Sequence, residues 1–213
     1  MRTAMTLAAL LLCAFAAPAE RRINFEDDEV GKLPRFFTPA VSGDAKEGKW
    51  AIEEARDAPS GKKVLAQRDA EGAEDRYALC VYDSRRAPDA DVEVRVNCVG
   101  GKTAQSGGVV VRYINRNNYY VARANAQGGN VRLYAVVQGK ATQIAGQPVS
   151  VAANQWHKLR VIASGRRFEV HFNDIRLFDT VDAAHRDPGQ VAVWTEADSA
   201  TLFDDFIIKP VEK

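Results

Sequence analysis

From Val64 to the end of the chain, apolar and polar residues alternate in short runs separated by turn-forming residues. The runs predict strands at Lys63–Gln67, Tyr77–Tyr82, Val92–Cys98, Gly108–Ile114, Tyr119–Asn125, Asn130–Gln138, Lys140–Ala145, Trp156–Ser164, Arg167–Asn173, Ile175–Thr180, Gln190–Glu196 and Asp204–Pro210. Gly128-Gly129, Gln138-Gly139, Ser164-Gly165 and Asn173-Asp174 fall between runs and are hairpin-type pairs. Beyond the N-terminal segment no stretch keeps a helical period for three turns, and Asp182–Asp187 has room for one helical turn at most. The chain before Val64 is less regular and rich in Gly, Pro and charge. Many short strands joined by hairpins predict an all-β sandwich or barrel in one domain.

Period-two alternation assigns faces. Val109, Val111 and Tyr113 oppose Val110 and Arg112; Tyr120, Ala122 and Ala124 oppose Tyr119, Val121, Arg123 and Asn125. Val131, Leu133, Ala135 and Val137 oppose Arg132, Tyr134 and Val136, and Phe168, Val170 and Phe172 oppose Glu169, His171 and Asn173. The apolar sets predict a core between two sheets. Arg112, Arg123, Asn125, Arg132, Tyr134, Glu169 and His171 are expected to face away from it.

Composition adds a compartment. Arg2 precedes an apolar run, Leu7 to Phe15, that is too short to span a bilayer, and Ala17-Pro18-Ala19 offers small residues at a cleavage site. Residues 1–19 read as a secretory signal peptide, with a single domain over 20–213 that is secreted or periplasmic and has no transmembrane segment after cleavage. Loss of that segment takes one Arg and no acid from 29 basic and 28 acidic residues, which leaves a neutral chain. Neutrality argues against nucleic acid as a partner. Cleavage also leaves two cysteines, Cys80 and Cys98, in a compartment that permits disulfides. Pro88-Asp89 lies midway, so a symmetric hairpin would pair them. The alternative is two buried thiols on separate sheets.

Several segments then acquire a joint meaning. They are Gly107–Tyr113, Asn117–Asn125, Asn130–Tyr134, Gln155–Val161 and Val193–Ser199 followed by Phe203–Phe206, with Phe25-Glu26, Trp50, Ala58–Gly61 and Val64–Gln67 ahead of them. In this order the chain resembles secreted bacterial proteins with a concanavalin A-like (laminin G-like) jelly-roll fold, related to the 3-keto-disaccharide hydrolase domain family, long a domain of unknown function. The resemblance covers nearly the whole mature chain. It implies a two-sheet antiparallel jelly-roll sandwich whose concave sheet binds a glycan or small carbohydrate. Arg112, Tyr119, Arg123, Asn125, Arg132, Tyr134, His171 and Trp194 supply the mixture of aromatic faces and hydrogen-bonding groups that a sugar site needs. The alternative is a solvated sheet face of weak cross-strand pairs.

The same resemblance raises an enzyme as rival, one that cleaves 3-keto-glycosides by proton abstraction beside the keto group. His171 or Glu169 would be the base and Arg112 or Arg123 the enolate stabiliser. A structural or protein-interaction domain of the cell envelope is the third class. Jelly-roll modules often hold a structural calcium where terminal strands pair, and Glu26, Asp27, Asp204 and Asp205 are acids in those places. Ordinary glucanase chemistry is not supported: no Glu-x-Asp-x-Glu strand exists, and Asp91-Val92-Glu93-Val94-Arg95 ends in Arg. His157, His171 and His185 have no zinc-ligand spacing, and there is no nucleophile-elbow motif.

Overall fold

The computed structural model describes residues 19–211 except 44 and 72–74. Among them are fifteen strands and no helix. In chain order they are β1 Arg21–Ile23, β2 Phe37–Ser42, β3 Trp50–Glu54, β4 Lys63–Gln67, β5 Tyr77–Ala87, β6 Ala90–Gly100, β7 Ser106–Asn115 and β8 Asn118–Asn125. They continue with β9 Asn130–Val137, β10 Lys140–Pro148, β11 His157–Ser164, β12 Arg167–Phe172, β13 Ile175–Val181, β14 Gly189–Glu196 and β15 Ala200–Lys209.

Two antiparallel sheets result. One has eight strands in the order β13-β12-β11-β6-β15-β4-β3, with β1 also on β15; the other has seven, β10-β9-β8-β7-β14-β5-β2. All twelve runs expected from alternation are strands. The three that alternation missed, β1, β2 and β3, lie in the irregular N-terminal stretch and owe their conformation to pairing with β15, β5 and β4. No local pattern in them competes with the turn residues around them. Asp182–Asp187 is a loop without a helical turn.

The core lies between the sheets, as the alternation predicts. Val109, Val111, Tyr120, Ala122, Leu133 and Val193 from the seven-stranded sheet meet Val92, Val94, Val161, Phe168, Val170 and Phe203 from the other. Tight hairpins follow the predicted turn pairs. Asn173 and Asp174 both take positive φ, 49° and 67°, and link β12 to β13 as a two-residue turn of the kind that matches strand twist.

Pro88-Asp89 makes no hairpin. The chain leaves β5 in one sheet and enters β6 in the other there, so the two cysteines end on opposite sheets. The expected disulfide is therefore overturned: Cys80 and Cys98 are buried free thiols. Burial pushes both thiols up, Cys98 to about 12, and keeps them protonated and unreactive. Cys80 and Cys98 should both react with a thiol reagent in denaturant without reductant, and neither in the native protein. A single buried Leu133→Ala should cost about 2–5 kcal/mol in denaturant unfolding.

Candidate functional site

The outward face of the seven-stranded sheet is not a plain solvated surface. Leu79, Val81, Val110, Tyr119, Val121, Val136, Ala192 and Trp194 form a second buried apolar cluster there, flanked by Tyr77, Tyr113 and Tyr134. Register explains the grouping. One row across the sheet runs Arg132, Arg123, Gly108, Trp194, Leu79 and Ala40, each opposite the next. Gly108 leaves the space that the Trp194 ring uses: a Cβ there would stand 3.2 Å from its Cε3 atom. The indole then lies flat and stacks on Tyr77, with centroids 5.5 Å apart and planes 15° from parallel.

A bulge in β7 shapes this face. Three residues, 112–114, oppose one on β8 between the pairs Val111–Tyr120 and Asn115–Asn118, and Arg112 takes φ 51°. The β7–β8 turn curls over the face until the Arg116 carbonyl accepts a hydrogen bond from Ser42 Oγ on the far edge strand β2. The face is thus the inside of a strongly curved sheet. Ser42 Oγ also meets the Tyr119 hydroxyl at 2.9 Å. Burial raises the Tyr119 pKa to about 12.

At the centre is a depression of about 50 Å³ lined by Tyr77, Tyr119, Val121, Arg123, Tyr134, Val136, Ala141, Trp194 and Glu196. Its polar rim is built around Arg123. The guanidinium donates to the Tyr134 hydroxyl at 3.2 Å and to Asn130 Oδ1 at 3.4 Å, and Nε lies 3.4 Å from Glu196. Ser106 Oγ donates to Glu196 at 3.0 Å and fixes that carboxylate. The Arg123 guanidinium also covers the Tyr134 ring at 5.4 Å. Burial, then the Glu196 charge, raises the Tyr77 pKa, so its hydroxyl stays a donor at neutral pH. Trp194 Nε1 lies close enough to the Tyr119 hydroxyl to favour its ionised form, yet it meets no hydrogen-bond geometry and is buried without a partner.

The structure thus brings together four of the eight predicted residues: Tyr119, Arg123, Tyr134 and Trp194 line the depression. Arg132 flanks it, with Nη1 3.4 Å from the Tyr134 hydroxyl. Asn125 is spent on its own turn, where its side chain accepts from the Gly128 N–H at 2.7 Å. Sequence reasoning missed Tyr77, Val136 and Ala141 as a set with Glu196. Tyr77 shares its period-two face with Leu79 and Val81, but only strand order puts it beside Trp194.

Arg112 is the clearest correction. It was expected on the outward face with Val110, but the bulge turns it inward, where it is 1% exposed. Its guanidinium donates to the carbonyls of Pro88 at 2.7 Å, His185 at 3.0 Å and Gly165 at 2.5 Å, and lies against the Tyr120 and Phe168 rings. Arg112 holds loops together.

His171 and Glu169 also lie elsewhere, on the outer face of the eight-stranded sheet. There Glu169 is close to Arg167, Arg176 and His171, at 3.3, 3.8 and 3.6 Å. Neither expected base therefore shares a face with Arg123, and the base–stabiliser pair is not assembled.

The calcium expectation fails on its donors. Glu26 Oε1 accepts the N–H groups of Lys62 and Lys63, at 2.9 and 2.6 Å. The Lys63 ammonium takes the carbonyls of Glu26 and Asp28, at 2.9 and 2.8 Å. Asp204 accepts from the N–H groups of Ser60 and Asp205, while Asp205 accepts from Ser60 Oγ and Arg22. Asp27 points away to solvent. A calcium ion needs six to eight oxygens, and here an ammonium and N–H donors already hold them. Among the described residues no three His, Cys, Asp or Glu side chains converge as a metal site.

A family model described as the galactocerebrosidase C-terminal lectin domain matches residues 86–211, more than half of the chain. The chain belongs to this lectin-domain family. The lectin-domain match takes in Tyr119, Arg123, Tyr134, Trp194 and Glu196, while Ser42 and Tyr77 precede it. No curated protein sequence matches the chain. Among solved structures, the carbohydrate-binding module CBM66 from Bacillus subtilis is 19% identical over 82% of this chain and 96% of its own, with a TM-score of 0.66. A β-glucanase from Bacillus licheniformis is 7% identical over 92% and 100%, with a TM-score of 0.60. A protein of unknown function with a galectin-like fold from Bacillus subtilis is 6% identical over 81% and 88%, with a TM-score of 0.55. At such identities the likeness shows the fold, which is the expected jelly roll.

Two measurements check these assignments. Arg112→Ala leaves buried carbonyls unpaired and should cost about 3 kcal/mol or more in denaturant unfolding. Burial raises the Asp204 pKa to about 7, with the Asp205 and Glu26 charges adding to the rise. Its contribution to stability is full below about pH 4 and lost as pH climbs to about 7. Asp204→Asn should flatten the fall in unfolding midpoint across that range.

Proposed function

We propose that this domain binds carbohydrate on the concave face of its seven-stranded sheet, as the name of its lectin-domain family and the solved carbohydrate-binding module suggest. The observation that carries the reading is the depression itself. Half-buried Tyr77 and Tyr134 present ring surface, and Arg123 and Glu196 stand between them as a fixed donor–acceptor pair. Pyranose rings offer that combination of an apolar C–H face and a rim of hydroxyls.

The chain's N-terminal run supports secretion or periplasmic export before this activity is exercised; that run, residues 1–18, lies outside the described residues. Among the described residues no helix is long and apolar enough to cross a membrane. Cleavage of 3-keto-glycosides, the activity of the resembled hydrolase family, would need a base at this face. Glu196 is the carboxylate that lines it, and Arg123 and Ser106 already hold it.

A glycan array on the purified mature domain tests the proposal. Binding should be retained by His171→Ala, which alters the opposite sheet, and weakened about ten-fold or more by Arg123→Ala or Tyr134→Ala at unchanged thermal midpoint. Binding lost equally in all three, or absent from the wild type, would count against the face. Release of product from a 3-keto-glycoside would favour the hydrolase instead.

A further inference from the structure

The chain is close to neutral as a whole, but its charges are not evenly spread. The stretch from Val94 to Phe168 contains no Asp or Glu and eleven Lys or Arg. It builds all of β7, β8, β9 and β10, which lie side by side as one half of the seven-stranded sheet. Its cations on the other sheet recover acids from outside the stretch: Arg160 pairs with Asp91, Lys158 with Asp174 and Arg167 with Glu169. On the concave face Glu196, which arrives on β14, serves Arg123. Arg132 makes no ion pair among the described residues, and its Nη1 meets the Tyr134 hydroxyl instead.

Arg123 and Arg132 stand directly opposite each other in the β8–β9 pairing. Like charges in that position repel. Here both guanidinium groups converge on one neutral oxygen, the Tyr134 hydroxyl, at 3.2 and 3.4 Å. Gly146 on β10 gives the Arg132 stem its place, since a Cβ there would stand 2.7 Å from Arg132 Cγ. The Arg123 and Glu196 charges cancel. Arg123 and Ser106 both take the same Glu196 oxygen, so the other is left for a ring hydroxyl. What remains at the rim is one positive charge, on a half-buried guanidinium whose planar fork suits an oxyanion. A protonated amine would be repelled there, and a neutral hydroxyl would leave the charge uncompensated. Resting on the carbohydrate reading above, we propose that the concave face takes acidic carbohydrate, with the carboxylate or sulfate of the sugar against Arg132 and its hydroxyls against Glu196.

Methyl glycosides of galactose, galacturonic acid, galactose sulfate and galactosamine, with the glucose series beside them, would be titrated at neutral pH and low salt. The proteins are wild type, Arg132→Gln and Arg167→Gln, each checked by thermal midpoint. Both variants lose the same charge, but Arg167 lies on the opposite sheet. Wild type should bind an acidic sugar about ten-fold more tightly than its parent hexose, the factor that one charge-assisted hydrogen bond supports. Added salt should shrink that advantage. Arg132→Gln should remove it, and Arg167→Gln should keep it. The uronate and sulfate arms tell which oxyanion is preferred. Equal binding of acidic and parent sugars, a preference for the amino sugar, or an advantage that survives in Arg132→Gln would overturn the acidic assignment and leave the carbohydrate face standing. A DNA oligonucleotide that binds as tightly as the acidic sugars, and loses affinity in Arg132→Gln, would overturn it in favour of a phosphate backbone. Absence of binding to every sugar, with the fold intact, would overturn the face itself.

Discussion

One buried guanidinium organises much of this molecule. Arg112 gathers the carbonyls of Pro88, Gly165 and His185, which belong to three separate connections: between β5 and β6, between β11 and β12, and between β13 and β14. The first of these carries the chain from one sheet to the other, so the contact ties the two layers at one end of the sandwich. A planar group with five donors suits this task, and a lysine point charge would not span it. The rings of Tyr120 and Phe168, one from each sheet, line the charge. Gly189 is what permits the approach, since a Cβ on it would lie 2.3 Å from the Arg112 carbonyl carbon.

The same residue shapes the opposite surface. Arg112 reaches inward because β7 carries extra residues there, and those extra residues swing the β7–β8 turn over the outward face. That curl, closed by Ser42 at the far edge, makes the face concave and buries an apolar floor that alternation alone would leave wet. On this floor Trp194 occupies the space above Gly108, and Tyr77, Tyr134 and Arg123 stand at the rim. Structural closure at one end of the β-sandwich and the candidate binding surface are therefore two consequences of one bulge. The opposite sheet differs: over β11–β13 its outer face carries compensated charges, with Arg160–Asp91 and Arg167–Glu169 pairs, beside a small apolar cluster of Val64, Ala66 and Leu202.

Much of this was legible in the residues. Period-two alternation found the twelve runs and most of the inward sets because a strand between water and a core must alternate; Tyr113, on the outward cluster, and Val137, 41% exposed, depart from it. It also put Tyr119, Val121 and Arg123 on one face, and Arg132, Tyr134 and Val136 on another strand's matching face, as observed. It failed where pairing departs from regular count. Arg112 was assigned outward because the bulge breaks the alternation within it, so that Val111 and Arg112 both face inward, and no local signal marks it. Cys80 and Cys98 looked like hairpin neighbours because a turn and a crossing between sheets share the same short, Pro-containing connection. His171 and Glu169 alternate as polar residues do on any half-exposed strand, and the pattern does not name the sheet.

What the amino-acid sequence determined by itself was the class of structure: strands, their turns and the inner core of an all-β sandwich or barrel. These follow from nearest-neighbour chemistry along the chain, in φ preferences at turns and the partition of side chains between water and apolar surroundings. What only the tertiary structure decided was which strands lie side by side, and so which side chains share a surface. Tyr77 and Glu196 stand beside Trp194 and Arg123 because β5 and β14 pair, a contact between residues more than a hundred positions apart. The carboxylates near both chain ends meet backbone N–H groups of Ser60, Lys62 and Lys63, because a polar group leaves water at low cost only when donors arrive from elsewhere in the chain.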